Sequence, residues 1–188
     1  MPVAEVQRTY PRDVTLSGGQ SVHLRLMQAA DAQKMLEFAR NLDEEDLLFL
    51  RMDITAEDVV EKWVASVESG QRVSVLAERG GKLIGYGSLN RTKLTWTRHQ
   101  GEIRVIINPS ERRTGLGSTL AEEVYHVACD LELTKIVAQM PVSQPGGRRL
   151  FESLGFKPEA LLTDWVIDRE GTTHDLLIMS HDVSGFTG

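Results

Sequence analysis

The stretch from Val105 to Leu120 limits what this chain can fold into more than any other part of it. It reads Val-Ile-Ile-Asn-Pro-Ser-Glu-Arg-Arg-Thr-Gly-Leu-Gly-Ser-Thr-Leu. An apolar β-branched run gives way to a short polar turn with two arginines and two glycines, and an amphipathic helix opens directly on that turn. β-Branched residues suit a pleated, packed strand. Leu120, Val124, Val127, Ala128 and Leu131 recur at the spacing of one helix face, which predicts a helix over Gly117 to Leu131. The first turn of a helix carries unpaired N–H groups and a partial positive charge, so the turn suits an anion. Gly115 and Gly117 let backbone approach that anion, and Arg112 and Arg113 add donors matched to phosphate oxygens. Read more blandly, the same residues make a tight strand–helix turn with solvated arginines. The pattern excludes two common phosphate sites. The P-loop spacing of glycines and lysine is absent, and Leu120 stands where the dinucleotide fingerprint needs its third glycine.

The rest of the chain alternates strands and helices without repeats, low-complexity tracts or a dividing linker. Ser21 to Leu26 reads as a first strand. Asp31 is the expected N-cap of a helix from Ala32 to Asn41, and Thr55, with Asp58 three residues on, of a second helix striped by Val59, Val60, Trp63, Val64 and Val67. Val73–Glu78 and Lys82–Leu89 read as a hairpin about Arg79-Gly80-Gly81. Glu102–Ile107 and Lys135–Met140 are further strands, Arg148–Leu154 a short helix, and Trp165–Asp168 with Leu176–Met179 a closing pair. The expectation is one α/β domain on a mixed, largely antiparallel sheet, running from residue 21 to 188. Met1 to Gln20 reads as a loosely attached arm.

Bulk properties narrow the function. The chain has 188 residues, 41% hydrophobic and 26% charged, close to an average globular domain. A formal net charge of −6 argues against general affinity for nucleic acid. Cys129 is the single cysteine, so no internal disulfide and no cysteine zinc site is expected, and no metal is called for. No apolar run approaches the roughly 18 residues that span a bilayer, and the first twenty residues lack a secretory pattern. No membrane partner is expected, and a cytoplasmic protein is the default. The residues leave open whether it is a monomer or a homodimer.

The Arg112-Arg113-Thr114-Gly115-Leu116-Gly117 turn, set between a strand ending in Asn-Pro and a long helix, resembles the signature of the GNAT superfamily of N-acetyltransferases. Downstream, Arg149-Leu150-Phe151-Glu152-Ser153-Leu154-Gly155-Phe156 is similar to that family's Leu-Gly-Phe ending of the last helix, with the Lys135–Met140 strand between. The resemblance covers roughly Ser21 to Asp182. It implies a GNAT-like fold with helices on both faces of the sheet, acetyl-CoA as acyl donor, and a primary amine, small molecule or protein lysine, as acceptor. Some similarity extends to the acetyltransferase domains of bacterial protein-lysine acetyltransferases, through the first strand and helix and an Asp-Arg-x-Gly turn at Asp168 to Gly171. Carried over by residue, it implies that Arg112, Arg113, Thr114, Gly115, Leu116, Gly117 and Ser118 hold the pyrophosphate. Ile106 and Ile107 would pair through their backbone with the pantetheine arm. Gln144 would stand where many members carry an asparagine that touches the same arm. Phe151 occupies the position of the family's proton-donating tyrosine and cannot donate.

An aliphatic amine has a reference pKa near 10.4 and must lose a proton before it attacks a thioester. Glu102 is the candidate base, since some members place a glutamate at this point of the strand; its other reading is a solvated strand end. Backbone N–H groups near Ile107 would hold the oxyanion. His174-Asp175, Tyr125 and His126 are weaker candidates, and Cys129 reads as a small core residue. The acidic run Asp43 to Asp46, followed by Leu47 to Leu50, could line a site for a cationic amine or begin a solvated helix. The loop Asn90 to Gln100 could border the acceptor cleft. If Phe151 and Glu102 leave the site without proton chemistry, the alternative is a non-catalytic acyl-CoA sensor.

Overall fold

The structure is a computed structural model that describes residues 6–7, 9–43, 46–47, 50, 52–91, 96–168 and 170–183. Its strands are β1 (Arg12–Thr15), β2 (Ser21–Leu26), β3 (Arg72–Arg79), β4 (Lys82–Arg91), β5 (Gln100–Ile107), β6 (Lys135–Pro141), β7 (Lys157–Ile167) and β8 (Thr173–Asp182). Its helices among the described residues are α1 (Ala32–Arg40), α2 (Glu57–Glu68), α3 (Leu116–Asp130) and α4 (Pro145–Ser153), with single 3₁₀ turns at Ala29–Asp31 and Pro109–Glu111. One sheet holds all eight strands in the order β1-β2-β3-β4-β5-β6-β8-β7. β5 and β6 are parallel, and every other neighbouring pair is antiparallel.

Two cores sandwich the sheet. α1 and α2 bury Met35, Leu36, Phe38, Val60, Trp63 and Val67 on one face against Leu76 and Tyr86. α3 and α4 bury Leu116, Leu120, Val124, Val127 and Phe151 on the other. The sequence of β4 explains how both fit. Gly85 and Gly87 face α3, and a Cβ on Gly87 would lie 2.7 Å from Val124 Cγ2 and 3.0 Å from the Leu120 carbonyl oxygen. Tyr86 between them points the other way, into the α1–α2 core. Alternation thus gives α3 a flat bed on one face and the opposite face a large ring. Gly80 and Gly81, with φ of 58° and 78°, form the two-residue β3–β4 turn.

Several expectations are corrected. The N-terminal arm is no loose appendage: β1 pairs with β2 from Arg12↔Leu24 to Thr15↔Ser21. The segment before it lies along α3. Gln7 N donates to Asp130 Oδ2 (2.9 Å), and Tyr10 Oη and Arg12 Nη2 both donate to the buried carboxylate of Glu123, at 2.6 and 2.8 Å. Asp31 stands at the N-cap of α1 as expected but makes no side-chain cap, and the N-cap of α2 is Ala56 in place of Thr55. Asp31 spends its carboxylate on Arg25 and on the Gln28 N–H, and Thr55 donates to Asp53. Cys129 is exposed on the far side of α3. α4 starts earlier than expected, at Pro145, and the closing strands are longer, at 11 and 10 residues.

Candidate active site

The turn between β5 and α3 has the backbone an anion site needs. Arg113 and Gly115 both take left-handed φ, 63° and 92°. Gly115 is the N-cap of α3 and has no side chain to satisfy the helix start, so the first-turn N–H groups of Gly117 and Ser118 precede any intrahelical acceptor. A Cβ on Gly115 would lie 2.6 Å from Ser17 Oγ, and that hydroxyl donates to the Thr114 carbonyl at 3.1 Å. Thr114 Oγ1 in turn donates to the Glu111 carbonyl (2.7 Å), closing the loop from inside. Gly117 is roomier: a Cβ there would meet Leu150 and Ile107 only at 3.6 and 3.8 Å. The arginines divide. Arg113 is exposed. Arg112, expected on the phosphate, instead forks onto the carboxylate of Asp46 at 2.5 and 2.6 Å. Glu44, Glu45, Leu48 and Phe49, part of the run expected beside the acceptor, lie outside the described residues, as do residues 92–95 of the Asn90–Gln100 loop and Arg169 of the Asp168–Gly171 turn.

β5 leads from this loop into the sheet, and there the two parallel strands part. Their register runs from Gln100↔Lys135 to Ile103↔Ala138 and goes no further, although β5 continues to Ile107 and β6 to Pro141. The edge of Arg104–Ile107 that faces β6 is therefore open to another extended chain. Ile107 packs on the α3 side and Ile106 on the α1–α2 side. Gln144 is the residue before α4, half-buried, with Pro145 at the first helical position. Gly146 meets nothing within 4 Å of a would-be Cβ. Phe151 sits in the core with its ring 5.0 Å from Phe156. As the sequence implies, it offers an apolar wall and no proton.

On the α1–α2 face lies a cavity of about 320 Å³, lined by Leu50, Met52, Ile54, Trp63, Arg72, Tyr86, Ser88, Asn90, Glu102 and Arg104. Glu102 is thus no solvated strand end: its side chain is 17% exposed, and Arg104 Nη2 lies 3.5 Å from its Oε1. The Tyr86 ring stands edge-on to Trp63 (4.8 Å) and Phe38 (5.9 Å), and its hydroxyl has no hydrogen-bond partner among the described residues. Burial pushes the Tyr86 pKa up to about 12, against the pull of Arg104 and Arg72, so the phenol stays protonated. Arg72 Cζ lies 4.7 Å over the Trp63 ring, and its Nε donates to Asn90 Oδ1. Burial holds the Arg72 pKa below the ordinary arginine value. Tyr86 acts against that shift, while Arg104 adds to it.

Of the cavity's polar residues the sequence singles out Glu102 and not Tyr86, Arg72 or Arg104. The available signal was polar residues at alternate positions of strands buried on both faces: Tyr86, Ser88 and Asn90 in β4, and Glu102 and Arg104 in β5. Of the other candidates, His174 Nε2 bonds Asp168 Oδ2 (2.7 Å), and Asp175 accepts from the Asp164 N–H, so that pair holds a turn. Among the described residues no group of three His, Cys, Asp or Glu could hold a metal ion, and no helix is long and apolar enough to cross a membrane.

A glycine-rich turn thus opens α3 beside two parallel strands that part. The chain belongs to the Acetyltransferase (GNAT) family, whose family model matches residues 34–156. Solved structures share the fold. A GNAT-family acetyltransferase from Streptococcus pneumoniae superposes with a TM-score of 0.76 at 20% identity, covering 86% of this chain and 99% of that one. The GNAT domain of S. lividans PAT gives 0.76 at 18%, covering 92% and 96%. A phosphinothricin acetyltransferase from Sinorhizobium meliloti in complex with AcCoA gives 0.75 at 22%, covering 86% and 88%. A sequence search of curated proteins finds no match. The family and these neighbours support acyl transfer from acetyl-CoA.

Proposed function

We propose that the protein moves the acetyl group of acetyl-CoA onto a primary amine by direct attack within a ternary complex, with Glu102 as the base. The observation that carries this reading is the position of Glu102. It lines the cavity one residue before the point where β5 loses β6. Five residues of strand separate it from Ile107, about 17 Å at 3.3–3.4 Å per residue. That span matches an extended pantetheine arm running from the phosphate loop to the cavity. The backbone of Arg113 to Ser118 holds the diphosphate, the open edge of Ile106 and Ile107 aligns the arm, and Gln144 and Phe151 flank it. Glu102, directly or through one water, takes a proton from the ammonium. The freed nitrogen attacks the thioester carbon, the C–S bond breaks, and the second nitrogen proton leaves with the thiolate. Tyr86, a protonated phenol on the same wall, is the candidate relay for that second proton, giving its own to the sulfur and taking the nitrogen's, a part Phe151 cannot play.

The test is amine-dependent release of free thiol from acetyl-CoA, paired with thermal unfolding. Glu102→Gln should lower kcat by about 10²–10⁴-fold and keep the full acetyl-CoA-induced rise in Tm. Unchanged kcat would remove Glu102 from the mechanism. No thiol release with any amine, alongside an intact rise in Tm, would leave a cofactor sensor.

A further inference from the structure

The cavity wall carries an imbalance of charge. Arg72 and Arg104 both line it, and among the described lining residues Glu102 is the one carboxylate. Arg104 reaches that carboxylate only at 3.5 Å. Among the described residues Arg72 is in no salt bridge: its hydrogen bond goes from Nε to a neutral amide, its ring neighbour is Trp63, and Glu102 acts on it only at longer range, across Asn90. A guanidinium removed from water without an anion is unfavourable, and its planar fork of remaining N–H donors is the shape that binds a carboxylate or phosphonate. The apolar part of the lining is Leu50, Met52, Ile54 and Trp63, the last lying beneath Arg72. At about 320 Å³ the space is at the small end of ligand pockets, which suits a free small molecule.

We infer that the acceptor is a small zwitterion, an amino acid or aminophosphonate with an apolar side chain. Its anionic group lies on Arg72 and Arg104, its amine at Glu102, and its side chain against Trp63, Met52 and Ile54. This rests on the acetyl-transfer reading above and replaces the cationic amine that the acidic run suggested. The bond made is from the acceptor's nitrogen to the acetyl carbon, the bond broken is the thioester C–S, and the acid group passes through unchanged. A protein lysine, which carries no acid group beside its amine, leaves Arg72 without an anion.

Norvaline, norvalinamide and the aminophosphonate analogue of norvaline test this directly, since the amide has the same shape without the charge. Thiol release should give a kcat/KM at least tenfold higher for one of the two acids than for the amide, and whichever acid has the lower KM identifies the anion. Arg72→Gln should lower the preference for that acid over the amide, read as the ratio of their kcat/KM values, by about ten- to a hundredfold, and Arg72→Lys should restore part of it. A purely structural arginine would move all three substrates together. Equal turnover of amide and acid, or an equal effect of Arg72→Gln on both, overturns the assignment while leaving acetyl transfer standing. If no amine is turned over, acetyl transfer itself fails, and binding decides. In a Trp96→Phe, Trp165→Phe background the remaining Trp63 reports the cavity by fluorescence, with and without CoA. Quenching by either acid at lower concentration than by the amide supports the anion site; equal or absent quenching refutes it.

Discussion

Gly115→Ala tests the phosphate loop at its most constrained point. The backbone there has φ of 92°, and an added Cβ would stand 2.6 Å from Ser17 Oγ. Holding alanine in the left-handed region costs about 1–2 kcal/mol. The Ser17 hydroxyl can swing clear, and in doing so gives up its hydrogen bond to the Thr114 carbonyl, about 0.5–1.5 kcal/mol. The sum, about 1.5–3.5 kcal/mol, lowers Tm by about 3–14 °C for a domain of this length. Ser17→Ala alone should cost only the hydrogen bond, and adding it to Gly115→Ala should cost almost nothing further, because that bond is already lost. Thermal unfolding of the four proteins gives this coupling as a double-mutant cycle. Acetyl-CoA at about a hundred times its Kd should stabilise the parent by about 2.7 kcal/mol and the Gly115→Ala variants much less. If Gly115→Ala unfolds within about a degree of the parent and keeps the full ligand response, both the strain argument and the anion-loop assignment are wrong.

Three further outcomes follow from the same physics. Arg25 bridges Asp31 (2.7 Å) and Glu78 (2.6 Å). Burial alone would raise both carboxyl pKa values, but hydrogen bonds from Arg25, with help from the Gln28 N–H at Asp31 and from Lys34 at Glu78, outweigh it and hold both below the ordinary carboxylate range. Their contribution is therefore complete above about pH 4.5 and is lost as the pH falls through the lowered values; acid titration of Tm should show this loss, and Arg25→Ala, by stranding two buried carboxylates, should cost about 3–5 kcal/mol at pH 7. Arg12→Ala leaves Glu123, whose side chain is 3% exposed, with Tyr10 as its remaining strap partner; urea unfolding should show a loss of about 1–3 kcal/mol. Tyr86→Phe removes a hydroxyl with no described hydrogen-bond partner, so urea stability should change by less than about 1 kcal/mol, while any fall in kcat measured by thiol release reports the hydroxyl's part in proton transfer.

The β5–α3 turn was legible in the sequence because its determinants are contiguous: a β-branched strand, two glycines, and a helix stripe, all within Val105 to Leu131. The β3–β4 hairpin and the Trp63 stripe were legible for the same reason. The cavity was not, because register assembles it. β4 sets Asn90 opposite both Arg72 and Glu102, and only this register brings Arg72 to the cavity. The arm misled for a related reason. Tyr10 and Arg12 look unattached until the fold brings in Glu123, more than a hundred positions away. Arg112 shows the limit of reading charge by type: its guanidinium suits phosphate, and in the folded chain Asp46 occupies it.

The order of strands makes the sheet divisible. β1 to β5 come from residues 12–107 and β6 to β8 from residues 135–182, and the ladder that joins the two halves over their shared core has only four residue pairs, Gln100–Ile103 with Lys135–Ala138. α3 covers the first half, as its packing under Gly85 and Gly87 shows. The seam is thus the short joint of the domain, and it opens at the place where an extended ligand would lie between the strands. A molecule bound there with one edge on each half acts as a staple, so its binding energy becomes cohesion between the halves. Amide exchange in β6 and β8 should slow on binding even at positions the ligand never touches.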